Sequence, residues 1–400
     1  MLILRRAGET VSFLADSQRV VVAGAGIAGL ATALSLHRAG REVLVVERAP
    51  GRRSSGYLVN LAGVGYDAAE RLGLLPALAR SDLGVFTSIL VKADGRKKFT
   101  VPAAVAQAAV GPRMLTVFRG DLESALYEQV RSVVEIRFGT TVTEVRQDEQ
   151  EVRVSLSDGT TEQAGLLVGA DGLHSGVREL VFGAEGKVDL RHLVGAFPLD
   201  HVPADVPEGA GTTFIGPGRT AAVMNLGPGR SSAFFTYRAE DPAAELALGP
   251  AAALSGAFGD LGGGVPDALR QLETDAGAYF DSVCQVVLDR WSRGRVVLLG
   301  DAAWCVTLFA GYGAALALAG AERLASTLDE QGDDVPSALA AWEAGLRPEV
   351  VKRQAMARKG IGQFAPSGKA EIWARDLMLR AIRLPGVSGL IRRSIERANR

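Results

Sequence analysis

Residues 20–29 of this chain read Val20-Val21-Val22-Ala23-Gly24-Ala25-Gly26-Ile27-Ala28-Gly29, and this stretch decides the fold class. Its apolar start predicts a short buried strand, and the glycine pattern leads straight into a helix that ends at Gly40. Val43 to Val46 predicts a second strand. Strand, glycine turn, helix and strand in this order are typical of the right-handed parallel crossover of a Rossmann-like α/β domain.

The three glycines of this turn have separate expected roles. Gly24 would permit the sharp turn, Gly26 would let a pyrophosphate approach the backbone, and Gly29 would let helix and strand pack closely. Glu47 ends the second strand, where a carboxylate can accept hydrogen bonds from a ribose. The combination predicts a dinucleotide site but does not distinguish NAD from FAD.

Two later turns repeat the combination of a buried strand, a glycine and an acid. Asp171 and Asp301 each follow a predicted strand, and Gly311 and Gly313 open another helix shortly after Asp301. A turn with a capping acid would explain either one alone. Three such turns in one chain indicate a shared ligand.

The composition excludes several classes of function. Lys and Arg number 44 against 45 Asp and Glu, and the net charge of −1 offers no basic face for nucleic acid. Cys284 and Cys305 lack the paired spacing of a disulfide framework or a zinc ribbon, which fits a cytoplasmic protein, and the histidines show no metal-ligand spacing. The uncharged stretch Ala302–Ala321 is interrupted by glycines, so we expect a loop and a buried helix there and no membrane span.

Together the three turns resemble those of the FAD-dependent aromatic hydroxylases. These are the group A flavoprotein monooxygenases, which include p-hydroxybenzoate hydroxylase-like and tetracycline-inactivating enzymes. The resemblance spans about Val20 to Gln354 and includes Trp291–Arg295 and Trp342–Pro348. It implies noncovalent FAD, NAD(P)H as co-substrate, and a flavin C4a hydroperoxide that hydroxylates or epoxidises a small hydrophobic substrate, aromatic or polyketide-like. A monomer or a homodimer is expected.

The predicted fold class is α/β, with a discontinuous Rossmann-like FAD-binding domain, an inserted, mostly antiparallel β-sheet substrate domain and C-terminal helices. Alternating segments separated by Gly-Pro turns indicate the sheet between about Val188 and Val287. The predicted segments are 18–84, 113–187 and 288–364 for the FAD-binding domain, 85–112 and 188–287 for the substrate domain, and 365–400 for the C-terminal helical part.

The resemblance also implies which residues hold the cofactor. The backbone of Gly26 to Gly29 would hold the pyrophosphate, Glu47 would hold the adenosine ribose, and Arg48 and Arg119 would lie against the adenosine and phosphate part. The complete expected set is Gly24, Gly26, Ile27, Ala28, Gly29, Glu47, Arg48, Arg119, Asp171, Asp301, Gly311 and Gly313.

The remaining implied roles concern the flavin end of FAD and the nicotinamide cofactor. Asp301 would bind the ribityl or pyrophosphate part of FAD, and Asp171 belongs to a motif that serves both FAD and the nicotinamide cofactor. The backbone of Gly311-Tyr312-Gly313 would face the flavin edge on which negative charge accumulates during reduction. Arg52 and Arg53 would meet the phosphates of the nicotinamide cofactor, with a plain surface role as the alternative.

Substrate contacts are expected from apolar and aromatic residues of the sheet. Strand alternation allows only half of them to face a pocket, and no catalytic side chain is assigned. The candidates are Phe197, Phe214, Met224, Phe234, Phe235 and Tyr237.

Four residues depart from the family pattern. Trp304, Thr307 and Leu308 replace residues around the last glycine loop, and Asn60 stands where some relatives carry Asp. Trp304 is expected either to fill a core gap or to shape an altered flavin pocket. Two alternatives therefore remain: a flavoprotein whose FAD is structural and whose pocket catalyses a non-redox cyclisation in natural-product biosynthesis, and a nicotinamide-only dehydrogenase or binding module.

Overall fold

The computed structural model describes residues 19–52, 57–110, 113–273, 277–332 and 334–381. In these ranges the strands are β1 (Val20–Ala23), β2 (Val43–Glu47), β3 (Leu58–Ala62), β4 (Thr87–Val91), β5 (Lys97–Val101), β6 (Met114–Phe118), β7 (Glu135–Phe138), β8 (Val142–Gln147), β9 (Val152–Leu156), β10 (Thr161–Ala164), β11 (Leu166–Gly169), β12 (Lys187–Pro198), β13 (Ala210–Gly216), β14 (Arg219–Asn225), β15 (Ser231–Arg238), β16 (Tyr279–Val286), β17 (Ser292–Arg293) and β18 (Val296–Leu298).

The same ranges contain helices as well as strands. They are α1 (Ile27–Arg38), α2 (Val64–Arg71), α3 (Leu75–Leu78), α4 (Ala103–Val110), α5 (Arg119–Val130), α6 (Gly176–Phe182), α7 (Pro242–Leu248), α8 (Pro250–Phe258), α9 (Val265–Leu272), α10 (Asp301–Trp304), α11 (Gly313–Gln331), α12 (Val335–Phe364) and α13 (Lys369–Ala381), with a 3-10 turn at Leu308–Ala310.

The central sheet has the strand order β17-β18-β11-β1-β2-β7. β1 pairs in parallel with β2 and β11, and β11 pairs in parallel with β18. Val20, Val21 and Val22 of β1 are fully buried, as expected for a parallel strand that is covered on both faces. Because the strands of this sheet come from three separate parts of the chain, the Rossmann-like domain is discontinuous. The predicted α/β fold class is confirmed, and the residue boundaries drawn between its segments stay predictions.

A second sheet has the order β16-β12-β15-β14-β13-β4-β5 and is antiparallel except for the β13–β4 pair. Helices α7, α8 and α9 cover one of its faces and share a hydrophobic core with it. The alternating pattern predicted only strands in this third of the chain, and these helices were not predicted. Pro242 and Pro250 each stand in the first turn of a helix, where the fixed φ of proline favours helix initiation.

A separate two-stranded sheet precedes α5. β3 pairs antiparallel with β6, and the backbone N–H of Arg119, directly after β6, donates to the carbonyl oxygen of Tyr57 at 2.9 Å. This pairing holds Tyr57 and Arg119 next to each other at the start of α5.

The uncharged stretch Ala302–Ala321 forms α10, the 3-10 turn and the first half of α11. α11 packs against α1, α2 and α12, and Leu316 and Leu318 are fully buried. Across the described ranges, no helix combines the length and the apolar character that crossing a membrane requires.

Candidate active site

The three glycine and acid turns meet at one cavity of about 720 Å³. They follow β1, β11 and β18, which are neighbours in the central sheet, and parallel strands end at the same edge. Gly29 does not line the cavity, whereas the other predicted cofactor residues do: Gly24, Gly26, Ile27, Ala28, Glu47, Arg48, Arg119, Asp171, Asp301, Gly311, Tyr312 and Gly313.

The three glycines after β1 differ in what surrounds them. A Cβ on Gly24, whose φ is +105°, would lie 2.5 Å from the carbonyl oxygen of Ala170, and one on Gly29 would lie 1.8 Å from that of Gly24. A Cβ on Gly26 would meet only the Nη2 of Arg119, at 3.4 Å. The protein's own packing therefore requires Gly24 and Gly29, while Gly26 leaves its backbone open to the cavity.

Glu47 fixes the glycine turn from the end of β2. Its Oε2 accepts a hydrogen bond from the backbone N–H of Ala25 at 2.8 Å, and its Oε1 accepts one from Ala49 at 2.8 Å. Each carboxylate oxygen can accept a further bond. Glu47 therefore braces the turn and still presents acceptors to the cavity.

The turn after β11 is joined to the turn after β18 by a buried arginine. Asp171 accepts hydrogen bonds from the Ser175 hydroxyl and from the backbone N–H of Val177, in the first turn of α6. Arg178 donates to the carbonyl oxygen of Leu173 at 2.7 Å and to that of Ala302 at 2.9 Å. No role was predicted for Arg178, although it follows Asp171 in the same turn and helix of the sequence.

Asp301 and Arg119 form the charged floor of the cavity. Asp301 is open to the cavity but surrounded by protein; this burial raises the pKa of its carboxyl group, and the nearby Arg119 charge lowers it in part. Arg119 also donates to Glu123 at 2.6 Å. A Cβ on Gly313 would lie 3.8 Å from the Asp301 Oδ1, so Asp301 stands beside the start of α11.

The loop before α11 is held at both ends. Thr307 has a φ of +78°, and its Oγ1 accepts a hydrogen bond from the backbone N–H of Phe309 at 3.1 Å. Tyr312 donates from its hydroxyl to the carbonyl oxygen of Ala62 at 3.3 Å, and the guanidinium of Arg353 lies 3.7 Å from the centre of its ring. These contacts fix the loop that the sequence analysis placed near the flavin.

The second sheet forms the opposite wall of the cavity. Met224 and Phe234 line it, as the sequence analysis expected for substrate contacts. The other four candidates need correction. Phe197, Phe235 and Tyr237 are buried on the far face beneath α7 to α9, and Phe214 packs against the same core. Alternation along the strands separates Phe234 from Phe235, and the helices cover the face that carries these four.

Two tyrosines at the boundary between the walls were not predicted. Tyr57 precedes β3, Tyr279 begins β16, and their ring centres lie 5.2 Å apart. Both line the cavity. Burial raises the pKa of Tyr57 to about 12 and raises that of Tyr279 well above its ordinary value. Both phenols therefore stay protonated at neutral pH.

A family model described as FAD binding domain matches residues 17–245. This chain belongs to the FAD-dependent, group A flavoprotein monooxygenases. The family assignment favours a flavoprotein over a nicotinamide-only dehydrogenase or binding module, and the monooxygenase is an oxidoreductase.

The similarity extends along most of the monooxygenase chain. An uncharacterized protein of Mycobacterium tuberculosis (strain H37Rv) is 32% identical over 364 residues, which cover 88% of this chain and 96% of the relative. The aurachin C monooxygenase/isomerase of Stigmatella aurantiaca is 28% identical over 94% of this chain and 97% of the relative. The solved structure of tetracycline destructase Tet(51) has a TM-score of 0.81 and 26% identity, and covers 95% of this chain and 97% of its own.

The cavity of the monooxygenase fits FAD. Gly26 exposes backbone where a pyrophosphate must approach, Arg119 places a cation beside it, and Glu47 offers acceptors for a ribose. Asp301 adds a further acceptor to the cavity lining.

Trp304 lies outside this cavity. Its ring packs 4.7 Å from that of Trp291 and 5.8 Å from that of Trp342, and it is 1% exposed. Of the two expected roles, the geometry favours filling the core. Thr307, Leu308 and Asn60 do line the cavity, so these three departures from the family pattern belong to the site.

Of the two predicted nicotinamide residues, Arg52 does not line the cavity. The Arg52 guanidinium lies 4.6 Å from the ring centre of Tyr127 and donates to the hydroxyl of Ser124, both on α5. Arg53 lies outside the described residues. The assignment of these two arginines stays a prediction.

Proposed function

We propose that this monooxygenase uses NAD(P)H and O2 to hydroxylate or epoxidise a hydrophobic aromatic or polyketide-like metabolite. One observation carries the proposal. A single cavity has a polar wall from the Rossmann-like domain and an apolar wall from the second sheet, so a cofactor and an apolar substrate can occupy it side by side.

The polar wall would hold FAD through the residues that line it. Gly26 and Arg119 would contact the pyrophosphate, Glu47 the adenosine ribose, and Asp301 the ribityl chain. Arg48 would lie against the adenosine part. When bound, FAD would supply the redox chemistry, taking electrons from NAD(P)H and enabling O2 to give one oxygen atom to the substrate.

The protein's own contribution is positioning, electrostatics and exclusion of water. Gly311 to Gly313 lead into the 19-residue helix α11, whose N-terminus favours negative charge beside it. Val194, Met224 and Phe234 would exclude water from the reacting part of the substrate. No side chain is needed as a general base for this role.

The substrate class has support from two relatives. The names of the aurachin C monooxygenase/isomerase and of tetracycline destructase Tet(51) each identify a compound on which that protein acts. We extend this class to the present chain because its substrate wall is apolar and aromatic, as a flat hydrophobic molecule requires.

The test starts with the visible spectrum of the purified protein, which should show bound flavin. Aromatic and polyketide metabolites are then screened for stimulation of NADH or NADPH oxidation and of O2 uptake. Flavin-loaded protein that converts a substrate without O2 or NAD(P)H would instead support the cyclisation alternative. Protein that neither contains nor takes up FAD would overturn both.

A further inference from the structure

Charge is distributed unevenly around the cavity. In the described chain, every charged side chain that lines it, including Glu47, Arg119, Asp171 and Asp301, belongs to the Rossmann-like part, and the second sheet contributes none. Its lining consists of residues such as Val194, Met224 and Phe234. A substrate lying on this wall would meet no cation there.

An unpaired carboxylate is costly in such surroundings. A charged group that leaves water must be paired and hydrogen-bonded to offset its lost solvation. A ring bearing a carboxylate would find no partner on the sheet wall. An uncharged ring of the same size would lose little on entering and would gain contact with the aromatic lining.

Tyr279 is a polar group within this apolar wall. It packs in a cluster with Val194, Phe234 and Phe309. Among the described residues, nothing forms a hydrogen bond with its hydroxyl, and the ring of Tyr57 packs against its ring. A phenol that stays protonated is a hydrogen-bond donor, and the Tyr279 hydroxyl is available to a ligand.

We propose that Tyr279 orients an uncharged aromatic substrate by donating a hydrogen bond to its carbonyl or hydroxyl oxygen, and that the sheet wall discriminates against the same ring bearing a carboxylate. The inference rests on the proposed function, because it names the substrate class of the same cavity. It makes Tyr279 a specificity residue and leaves cofactor binding to the opposite wall.

The test compares three probes on the FAD-loaded protein by calorimetry: naphthalene, 2-naphthol and 6-hydroxy-2-naphthoate. One hydrogen bond should make 2-naphthol bind roughly tenfold more tightly than naphthalene. The unpaired carboxylate should make 6-hydroxy-2-naphthoate bind at least about a hundredfold more weakly than 2-naphthol. Tyr279→Phe should remove the preference for 2-naphthol over naphthalene and leave the affinity for naphthalene unchanged.

Tyr237→Phe is the matched control. Tyr237 lies on the covered face of the same sheet, where its hydroxyl donates to Glu245 at 2.9 Å, so all three affinities should stay as in the unmodified protein. Tight binding of 6-hydroxy-2-naphthoate, no binding of 2-naphthol, or an unchanged preference in Tyr279→Phe would overturn the inference. Failure of the proposed function would appear separately, as absent NAD(P)H-dependent O2 uptake by protein whose probe affinities follow the expected pattern.

Discussion

The carbonyl oxygen of Gly24 occupies the place where a side chain on Gly29 would begin. A Cβ on Gly29 would lie 1.8 Å from that oxygen, because the first turn of α1 rests directly on the end of β1. Gly24 and Gly29 therefore make one close contact between strand and helix. Gly26, which lies between them in the sequence, instead leaves its backbone open to the cavity.

The first prediction separates these glycines. Gly29→Ala should destabilise the protein by about 3 kcal/mol or more, since backbone would have to move to remove the overlap. Gly26→Ala should fold normally but bind FAD at least about tenfold more weakly, because its Cβ would point into open cavity beside Arg119. Thermal unfolding and flavin content measure the two effects. Equal flavin retention by Gly26→Ala and the unmodified protein would contradict the role of Gly26.

The second prediction concerns Asp301. Asp301→Asn keeps the size of the side chain but removes a charged acceptor from the cavity floor, so FAD should dissociate more readily on dialysis. We expect the dissociation constant for FAD, measured by flavin fluorescence, to rise at least about tenfold. Asp158→Asn, in an exposed turn after β9, is the control and should retain its flavin. Full retention by Asp301→Asn would refute the assignment.

The third prediction compares two tryptophans of one cluster. Trp342 donates from its indole N–H to the carbonyl oxygen of Gly320 at 2.9 Å, whereas the buried indole N–H of Trp304 has no partner among the described residues. Trp342→Phe should therefore lower the free energy of unfolding by about 1 kcal/mol more than Trp304→Phe does. Urea unfolding of both variants with bound FAD gives the comparison.

Trp304→Phe has a second expected outcome. Because Trp304 does not line the cavity, its replacement should leave the visible spectrum of the bound flavin unchanged. A shifted spectrum would mean that Trp304 shapes the flavin pocket after all.

The fourth prediction concerns alkaline pH. Burial raises the pKa of Tyr57 from 10.0 to about 12, so the unfolded chain ionises this phenol first. The protonated phenol makes its full contribution to the free energy of unfolding below about pH 10, and this contribution is lost as the pH rises to about 12. A difference of two pKa units corresponds to at most about 2–3 kcal/mol. Tyr57→Phe should lose less stability across this window, measured by urea unfolding at successive pH values. An identical pH dependence in the variant would contradict the effect of burial.

The Rossmann-like part could be predicted because its signals are local. Val20 to Val22, the glycine turn and Glu47 lie within one crossover, and the strand, turn and helix each have their own sequence pattern. The shared ligand of the turns at Asp171 and Asp301 was predicted from the recurrence of strand, glycine and acid, and the structure explains it, because neighbouring parallel strands end at the same edge of the sheet.

The sheet wall could be predicted only in part. Alternation along the strands predicted which residues share a face of the sheet, but not which face the helices α7 to α9 would cover. Phe197, Phe235 and Tyr237 were therefore predicted to line a pocket, whereas they belong to the core beneath these helices. The pair Tyr57 and Tyr279 had no sequence signal at all. More than two hundred residues separate them, and only the packing of two sheets brings their rings together.

The position of β18 beside β11 affects how the chain can fold during its synthesis. The edge of β11 stays without its neighbour until residues 296–298 have left the ribosome, long after β1 has been made. At about 5–20 residues per second, synthesis from the end of β11 at Gly169 to the start of β18 at Val296 takes roughly 6 to 25 seconds. During translation the nascent chain therefore carries an open strand edge at β11, and the cavity that would hold cofactor and substrate cannot form until β18 has been synthesised.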